Sequence, residues 1–425
     1  MELPVACRTL LQRDLLHVVG AGVGPGRFRF YRRGVSDTPA GGPEDAPRRG
    51  RTYLDAGSSE PLRPVARDTL MAALDEGWAD PLRLHSEGRR ARLLYENARE
   101  VVAAELGCRP DEVSFPPSGT IAVHTGLSGL LQRRRPRLIH SAVEHSSVLH
   151  TAEHYAAADG ERASVGVGRD GRVEVDALTE ELGRSEGSPS VVAVQAANLE
   201  SGALQPVEEV AAACDAAQAP WFVDAAAVVG RLAMPIGWSV AAASAHKWGG
   251  PAGVGVLAVR RGSGWRAATV ADERVDPRTP GYENIPAILA AAAALQEMSA
   301  GASERAERQR ELTEELRKRI AATPDVELIG PADERLPHVV AGSFLYVDGE
   351  VLVTELDRLG FAAASGSACT ASSLEPSHVL AAMGVLTHGN VRISLTVDTT
   401  GEELDAFLAA LTDVVAATRE RLGPL

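Results

Sequence analysis

Lysine is almost missing from this chain. Of its 43 basic residues only Lys247 and Lys318 are lysine; the rest are arginine. An amine can lose its proton and form a Schiff base, which a guanidinium cannot, so a chain this biased keeps lysine where arginine will not serve. Lys318 lies in Glu314-Glu315-Leu316-Arg317-Lys318-Arg319, a charged helical face where either base would do. Lys247 lies in Ala245-His246-Lys247-Trp248-Gly249-Gly250, among small and apolar residues. It is the first functional candidate.

Other shortages exclude whole classes of function. The four cysteines, Cys7, Cys108, Cys214 and Cys369, are scattered without CxxC spacing. That argues against a disulfide framework or a structural zinc site and fits free thiols in a reducing compartment. His140, His145, His150 and His154 come without an HExxH pattern and without a carboxylate or cysteine at ligand spacing, so no metal is expected. Positive charge is short as well, and a net charge of −14 argues against nucleic acid as a partner. The one dense basic run, Arg133-Arg134-Arg135-Pro136-Arg137, reads as a solvated connection. Long apolar runs are lacking. Residues 10–19 are too few and too interrupted to span a bilayer, and no secretory cleavage pattern follows them. The Ala-rich stretch 225–245 contains Arg231 and Pro235, which marks it as core. A cytoplasmic protein with no membrane partner is expected.

What is present is an ordinary globular composition, 45% hydrophobic and 24% charged, in 425 residues, enough for two packed domains. Residues 1–50 carry 8 Gly and 5 Pro and read as a loop-rich extension. Within them Gly20-Ala21-Gly22-Val23-Gly24-Pro25-Gly26 has no helix start after Pro25 and closes no dinucleotide-binding βαβ unit. From Tyr53 onward, short apolar runs at 113–115, 137–141, 191–195, 221–224 and 254–259 alternate with helical patterns such as 89–106 and 207–217. That alternation predicts an α/β fold whose large, mostly parallel sheet is flanked by helices. After an Ala-rich helix near 285–300 and a charged helix near 303–321, strands near 339–347 and 390–396 and a helix over 402–421 predict a smaller α/β domain.

Ligands of open α/β sheets gather beyond the carboxyl ends of the strands, and candidate residues sort by that rule. Pro117-Ser118-Gly119-Thr120 follows the first run and opens a helix, where free backbone N–H groups and the Thr120 hydroxyl can cradle a phosphate. Asp224 ends the strand Trp221-Phe222-Val223 and can pair with a protonated ring nitrogen; Lys247 follows 23 residues later. His145, in Val143-Glu144-His145-Ser146-Ser147, can stack on a flat cofactor. Phosphate loop, strand-end aspartate and isolated lysine, in that order, describe a site for pyridoxal 5'-phosphate, an electron sink for which the protein supplies an amine and a partner for the ring nitrogen.

Further motifs carry a resemblance. They are Tyr53-Leu54-Asp55, His85-Ser86-Glu87-Gly88-Arg89, Asn198-Leu199-Glu200-Ser201-Gly202, Ser244-Ala245-His246-Lys247, Ser365-Gly366-Ser367-Ala368-Cys369-Thr370 and Asn390-Val391-Arg392-Ile393-Ser394-Leu395. Over about residues 51–415 the chain resembles the cysteine desulfurases of the class V aminotransferase group, transferases of the pyridoxal-phosphate fold type I. The resemblance implies a large cofactor-binding domain over 65–300, with 51–64 and 301–425 forming the small domain that carries the cysteine loop. It implies that Lys247 holds the cofactor and shuttles the substrate α-proton, that Asp224 pairs with the ring nitrogen and that His145 stacks on the ring. Gly119, Thr120, Ser244 and His246 would bind the phosphate, Asn198 would lie beside cofactor and substrate, and Arg392 would grip the substrate carboxylate as a planar fork. Cys369 would take sulfur from L-cysteine, leaving L-alanine and a persulfide for a sulfur-acceptor protein or pathway enzyme; a homodimer with sites near the subunit interface is implied.

Three positions depart from the family pattern: Ala227 stands where glutamine usually contacts the ring hydroxyl, Ile121 where a polar residue usually follows the threonine, and Tyr282 where a threonine usually reaches the neighbouring subunit's phosphate. Two other readings use the same residues. A C–S lyase or aminotransferase of this fold would run without a persulfide, and a degenerate scaffold, favoured by Ala227 and Tyr282, would bind a sulfur acceptor without catalysis.

Overall fold

The computed structural model describes residues 50–132, 135–184, 189–268, 270, 276–365 and 376–422. Among them the strands are β1 (Thr52–Tyr53), β2 (Val113–Ser114), β3 (Arg137–Ser141), β4 (Arg162–Val165), β5 (Ser190–Ala193) and β6 (Trp221–Asp224), then β7 (Val240–Ser244), β8 (Gly255–Val259), β9 (Val326–Ile329), β10 (Val339–Phe344), β11 (Phe361–Ala362) and β12 (Asn390–Ser394). The α-helices are α1 (Pro64–Glu76), α2 (Ser86–Leu106), α3 (Gly119–Leu130), α4 (Ser146–Ala157), α5 (Val175–Gly183) and α6 (Val207–Ala216), then α7 (Ile285–Ala300), α8 (Ala302–Ala321), α9 (Gly349–Arg358), α10 (His378–Met383) and α11 (Gly401–Leu422).

Seven strands form one sheet in the order β2-β8-β7-β6-β5-β3-β4, parallel from β4 to β7 and antiparallel across β7, β8 and β2. Side chains alternate between its faces with period two. Val191, Ala193, Phe222, Val240 and Ala242 pack with Ala122, Val123 and Leu127 of α3 and Val148 of α4. Val192, Trp221, Val223, Ala241 and Ala243 face the other way, into the core that holds α1, α2 and α7. Helix α7 is buried on nearly every side because alanine lets neighbouring backbones come close.

Two of these strands are not anticipated by the apolar runs. β4 is a half-exposed edge strand, Arg162-Ala163-Ser164-Val165, with no continuous apolar stretch. β7 reads Val240-Ala241-Ala242-Ala243-Ser244, and alanine has low strand propensity; burial on both sides decides its state.

A second sheet, β12-β10-β9, is antiparallel and is covered by Leu316 and Ile320 of α8, Leu352 and Leu356 of α9 and Phe407, Leu411 and Val415 of α11. The segment 52–55 joins it: β1 pairs with β11, Asp55 bridges to Ser394, and Leu54 lies in that core. Both sheets lie within a single compact unit, Gly50–Leu425.

Candidate active site

The carboxyl ends of β2, β3, β6 and β7 deliver the site. Because β6 lies beside β7, with Asp224 opposite Ala242, the aspartate at the end of one strand and the turn after the other share one edge. That turn is a short 3-10 helix, Ala245–Trp248, which carries Lys247 and ends at Gly249 in the left-handed region (φ 79°). A Cβ on Gly249 would stand 2.5 Å from Arg63 Cγ, so both conformation and space require glycine.

Helix α3 points its N-terminus at the same edge. Ser118 caps it, accepting from the Ile121 N–H at 3.1 Å. A Cβ on Gly119 would lie 2.7 Å from Ser244 Cβ, so the absent side chain lets the first turn of α3 press against the end of β7. Thr120 is exposed beside it, and Ser244 Oγ lies 2.9 Å from His246 Nδ1. A helix N-terminus, the Ser244 hydroxyl and an imidazole thus meet at one edge, donors of the kind a phosphate requires.

His145 caps α4. Its Nδ1 accepts from the Ser147 N–H at 3.2 Å and lies 2.7 Å from Ser147 Oγ, which leaves the proton of the neutral ring on Nε2. One side of the ring is open to solvent, but the protein surrounding it lowers its pKa by desolvation; Asp224 opposes that shift, while Lys247 and His378 add to it. Burial, aided by Lys247, brings the His246 pKa down to about 4. Glu144 is fully buried; desolvation holds its carboxyl well above the usual range, and Asp224 adds to the effect. Its Oε1 accepts from Gln195 N–H at 2.9 Å, so the buried carboxyl ties the segment after β3 to the segment after β5.

Lys247 Nζ donates to the carbonyls of Gly57 and Ser58, at 2.6 and 3.0 Å. Arg392, on β12, reaches the same loop from the other side, donating to Asp55 Oδ1 and to Ser58 Oγ, each at 2.7 Å. It is nearly buried, and its Nε has no partner among the described residues. The loop between β1 and α1 therefore joins the lysine of one sheet to the arginine of the other. Asn198 is a brace: its Nδ2 donates to Val143 O at 3.0 Å, and its Oδ1 accepts from the N–H groups of Glu200 and Ser201 at 2.8 and 2.9 Å.

The structure brings Lys247, His145, Asp224, Gly119, Thr120, Ser244, His246 and Asn198 to one region, with Arg392 joined through the loop. Cys369 lies outside the described residues. Of the departures, Ala227 is buried in the turn after Asp224, Ile121 is exposed on the first turn of α3, and Tyr282 is exposed with its hydroxyl donating to Trp78 O at 3.1 Å. Sequence reasoning assigned no role to Asp55, Ser58, Glu60, Glu144 or Arg231. Asp55 and Glu144 stand inside quoted motifs, and an arginine on an otherwise apolar strand, such as Arg392, is itself a signal that a carboxylate faces it.

The aminotransferase class-V family profile matches residues 52–407. Cysteine desulfurase IscS of Dictyoglomus turgidum is 32% identical over 380 residues, covering 86% of this chain and 95% of that protein. The chain belongs to the class V aminotransferases, among the cysteine desulfurases. Cysteine desulfurase NifS of Azotobacter vinelandii is 32% identical over 385 residues, 86% of this chain and 93% of that one. A solved NifS-like protein superposes with a TM-score of 0.78 at 28% identity, covering 86% of this chain and all of the other. The fold is thus that of pyridoxal-phosphate transferases of fold type I, as the strand alternation and the motifs predict.

The donors of this desulfurase-family chain fit the cofactor that such enzymes use. Gly119 leaves the cradle where a Cβ would intrude, His145 presents a neutral ring, Asp224 a carboxylate, and Lys247 an amine at the same strand edge.

Proposed function

We propose that this protein is a pyridoxal 5'-phosphate-dependent cysteine desulfurase that converts L-cysteine to L-alanine and leaves a persulfide on Cys369. The observation that carries the reading is the convergence of Lys247, Asp224, His145 and the N-terminus of α3 at one sheet edge, with Arg392 reaching the loop that Lys247 contacts. The cofactor, when bound, supplies the electron sink that acidifies the substrate α-carbon and weakens its carbon–sulfur bond. Lys247 holds the cofactor and moves the α-proton. Ser244, His246, Thr120 and the first turn of α3 bind the phosphate, Asp224 keeps the ring nitrogen protonated, and Arg392 orients the substrate carboxylate. The Cys369 thiolate takes the substrate sulfur: a sulfur–sulfur bond forms, the carbon–sulfur bond breaks, and the carbon gains a proton to leave as alanine. The thiol is oxidised to the persulfide as the carbon is reduced.

The finer expectations belong to the same reading. Residues 65–300 form the cofactor domain and 51–64 with 301–425 the smaller one, the persulfide passes to an acceptor protein or pathway enzyme, and the setting is the reducing cytoplasm, where Cys108 and Cys214 stay free. A homodimer is supported by exposed apolar side chains on and after α1 and on α2.

Product analysis with L-cysteine tests the function. Alanine and sulfide are expected in equal amounts with a reductant present; pyruvate and ammonia would mean a lyase. Cys369→Ala should keep the yellow colour and the spectral response to L-cysteine while alanine formation falls at least about 100-fold, the scale on which loss of a nucleophile is felt. Alanine at the wild-type rate from that variant would end the persulfide mechanism.

A further inference from the structure

Behind the Lys247 turn lies an ion pair removed from solvent. Arg231 Nη2 is 2.6 Å from Glu60 Oε2, and the two side chains are 4% and 1% exposed. Both partners are tied to the turn. Arg231 Nη2 also donates to Lys247 O at 3.3 Å, and the Glu60 backbone N–H donates to His246 O at 2.9 Å. Glu60 Oε1 accepts from the Val397 N–H at 3.3 Å, beyond β12. Glu60 also closes the loop whose Gly57 and Ser58 carbonyls receive the Lys247 amine.

Packing alone does not call for such a pair. Two buried charges bear a desolvation penalty that apolar residues of similar volume avoid, and Arg231 Nη1 is buried without a partner among the described residues. We propose that Glu60 and Arg231 are a positioning pair for Lys247: they hold the backbone of its turn against the loop, and they supply the balanced charges against which its amine works. The inference rests on Lys247 as the cofactor lysine.

The charges around the amine show why balance matters. Lys247 interacts with His145 at the start of α4, with His246 on its own turn and with His338 just before β10. Asp224 lies on the neighbouring strand end, and Arg392, paired with Asp55, approaches from β12. Arg305 of α8 donates to Gly230 O, next to Arg231, while Arg63 is paired with Glu297 and Asp398. His338 is fully buried and held neutral, first by desolvation and then by Arg231, Arg392, Lys247 and Arg305. The charges that act on His338 are all cations, and Glu60 is the carboxylate that offsets Arg231 among them.

The experiment uses the full-length chain and its two lysines. Competitive acetylation across pH, read by peptide mass spectrometry, reports the titration midpoint of Lys247, with exposed Lys318 as the reference. Removing the carboxylate in Glu60→Gln should lower the midpoint by about one pH unit, and removing the guanidinium in Arg231→Gln should raise it by about one. The double variant should return it to the wild-type value. The pH-dependent absorption change of the cofactor-loaded protein should move in the same directions. Charge-preserving Glu60→Asp and Arg231→Lys should keep the wild-type midpoint.

A purely structural pair would shift both single variants the same way, or neither; either result overturns the proposal. Each single variant decides a sign alone, so misfolding of one leaves the other as the test. Borohydride reduction of the loaded protein with peptide mapping tests the cofactor lysine separately. A pyridoxyl group on Lys318 would end that reading while the acetylation midpoints remain legible.

Discussion

His246 shows how a single side chain acquires chemistry from its surroundings. Its pKa falls from 6.5 to about 4 through burial, with Lys247 adding to the shift. Between those values the unfolded chain binds the proton and the folded chain does not, so the stabilisation is present above pH 6.5 and is lost as pH falls toward 4. Chemical denaturation of the full-length protein before cofactor is added should show this loss. His246→Gln should flatten the profile in that window by about 1–2 kcal/mol, a figure reduced because the ring is partly solvent-facing. His145 and His338 are shifted the same way and keep some slope in the variant. A profile unchanged by the substitution would mean that His246 is not held neutral. The ring's position two residues after Ser244 is legible in the chain; its neutrality is not, because desolvation depends on atoms brought in from other elements.

Between elements, the decisive contact is that of α3 with the end of β7. Gly119→Ala would place a methyl group 2.7 Å from Ser244 Cβ, and neither the strand end nor the capped helix turn can yield without moving the proposed phosphate cradle. Overpacking of this kind typically costs about 1–3 kcal/mol, so cofactor affinity should fall roughly 5- to 150-fold while the helical circular dichroism signal is kept. Equal affinity, measured by fluorescence titration, would remove Gly119 from the site. Strand and helix types were legible here from apolar runs, and the strand Trp221–Asp224 has the expected bounds. β7 was not: three successive alanines say little until β6 and β8 enclose them.

For the assembled protein, the exposed apolar surface is the feature that asks for a partner. Leu84 is 88% exposed and Trp78 65%, and Met71, Leu74, Leu82 and Leu93 lie on or between α1 and α2 with them. A second copy of the chain is the partner proposed for that surface. Sedimentation at micromolar concentration should give twice the mass of one chain, and Trp78→Glu with Leu84→Glu should weaken the dimer by at least about 100-fold, as loss of aromatic and aliphatic anchors does. A wild-type protein that sediments as a single chain would overturn the dimer.

The chain alone pointed to the type of cofactor, and its resemblance to a known family pointed to the reaction. Residue chemistry and local order are properties of neighbours in sequence, so an isolated lysine, an aspartate closing an apolar strand and a small-residue turn opening a helix are visible without coordinates. Which charges meet is a property of the fold. Arg392 and Asp55 are 337 positions apart, and Arg231 and Glu60 are 171 apart. Folding also shifts titration: burial pushes the Glu144 carboxyl up and the His338 ring down by removing the water that would stabilise their charges, and no stretch of sequence carries its own dielectric.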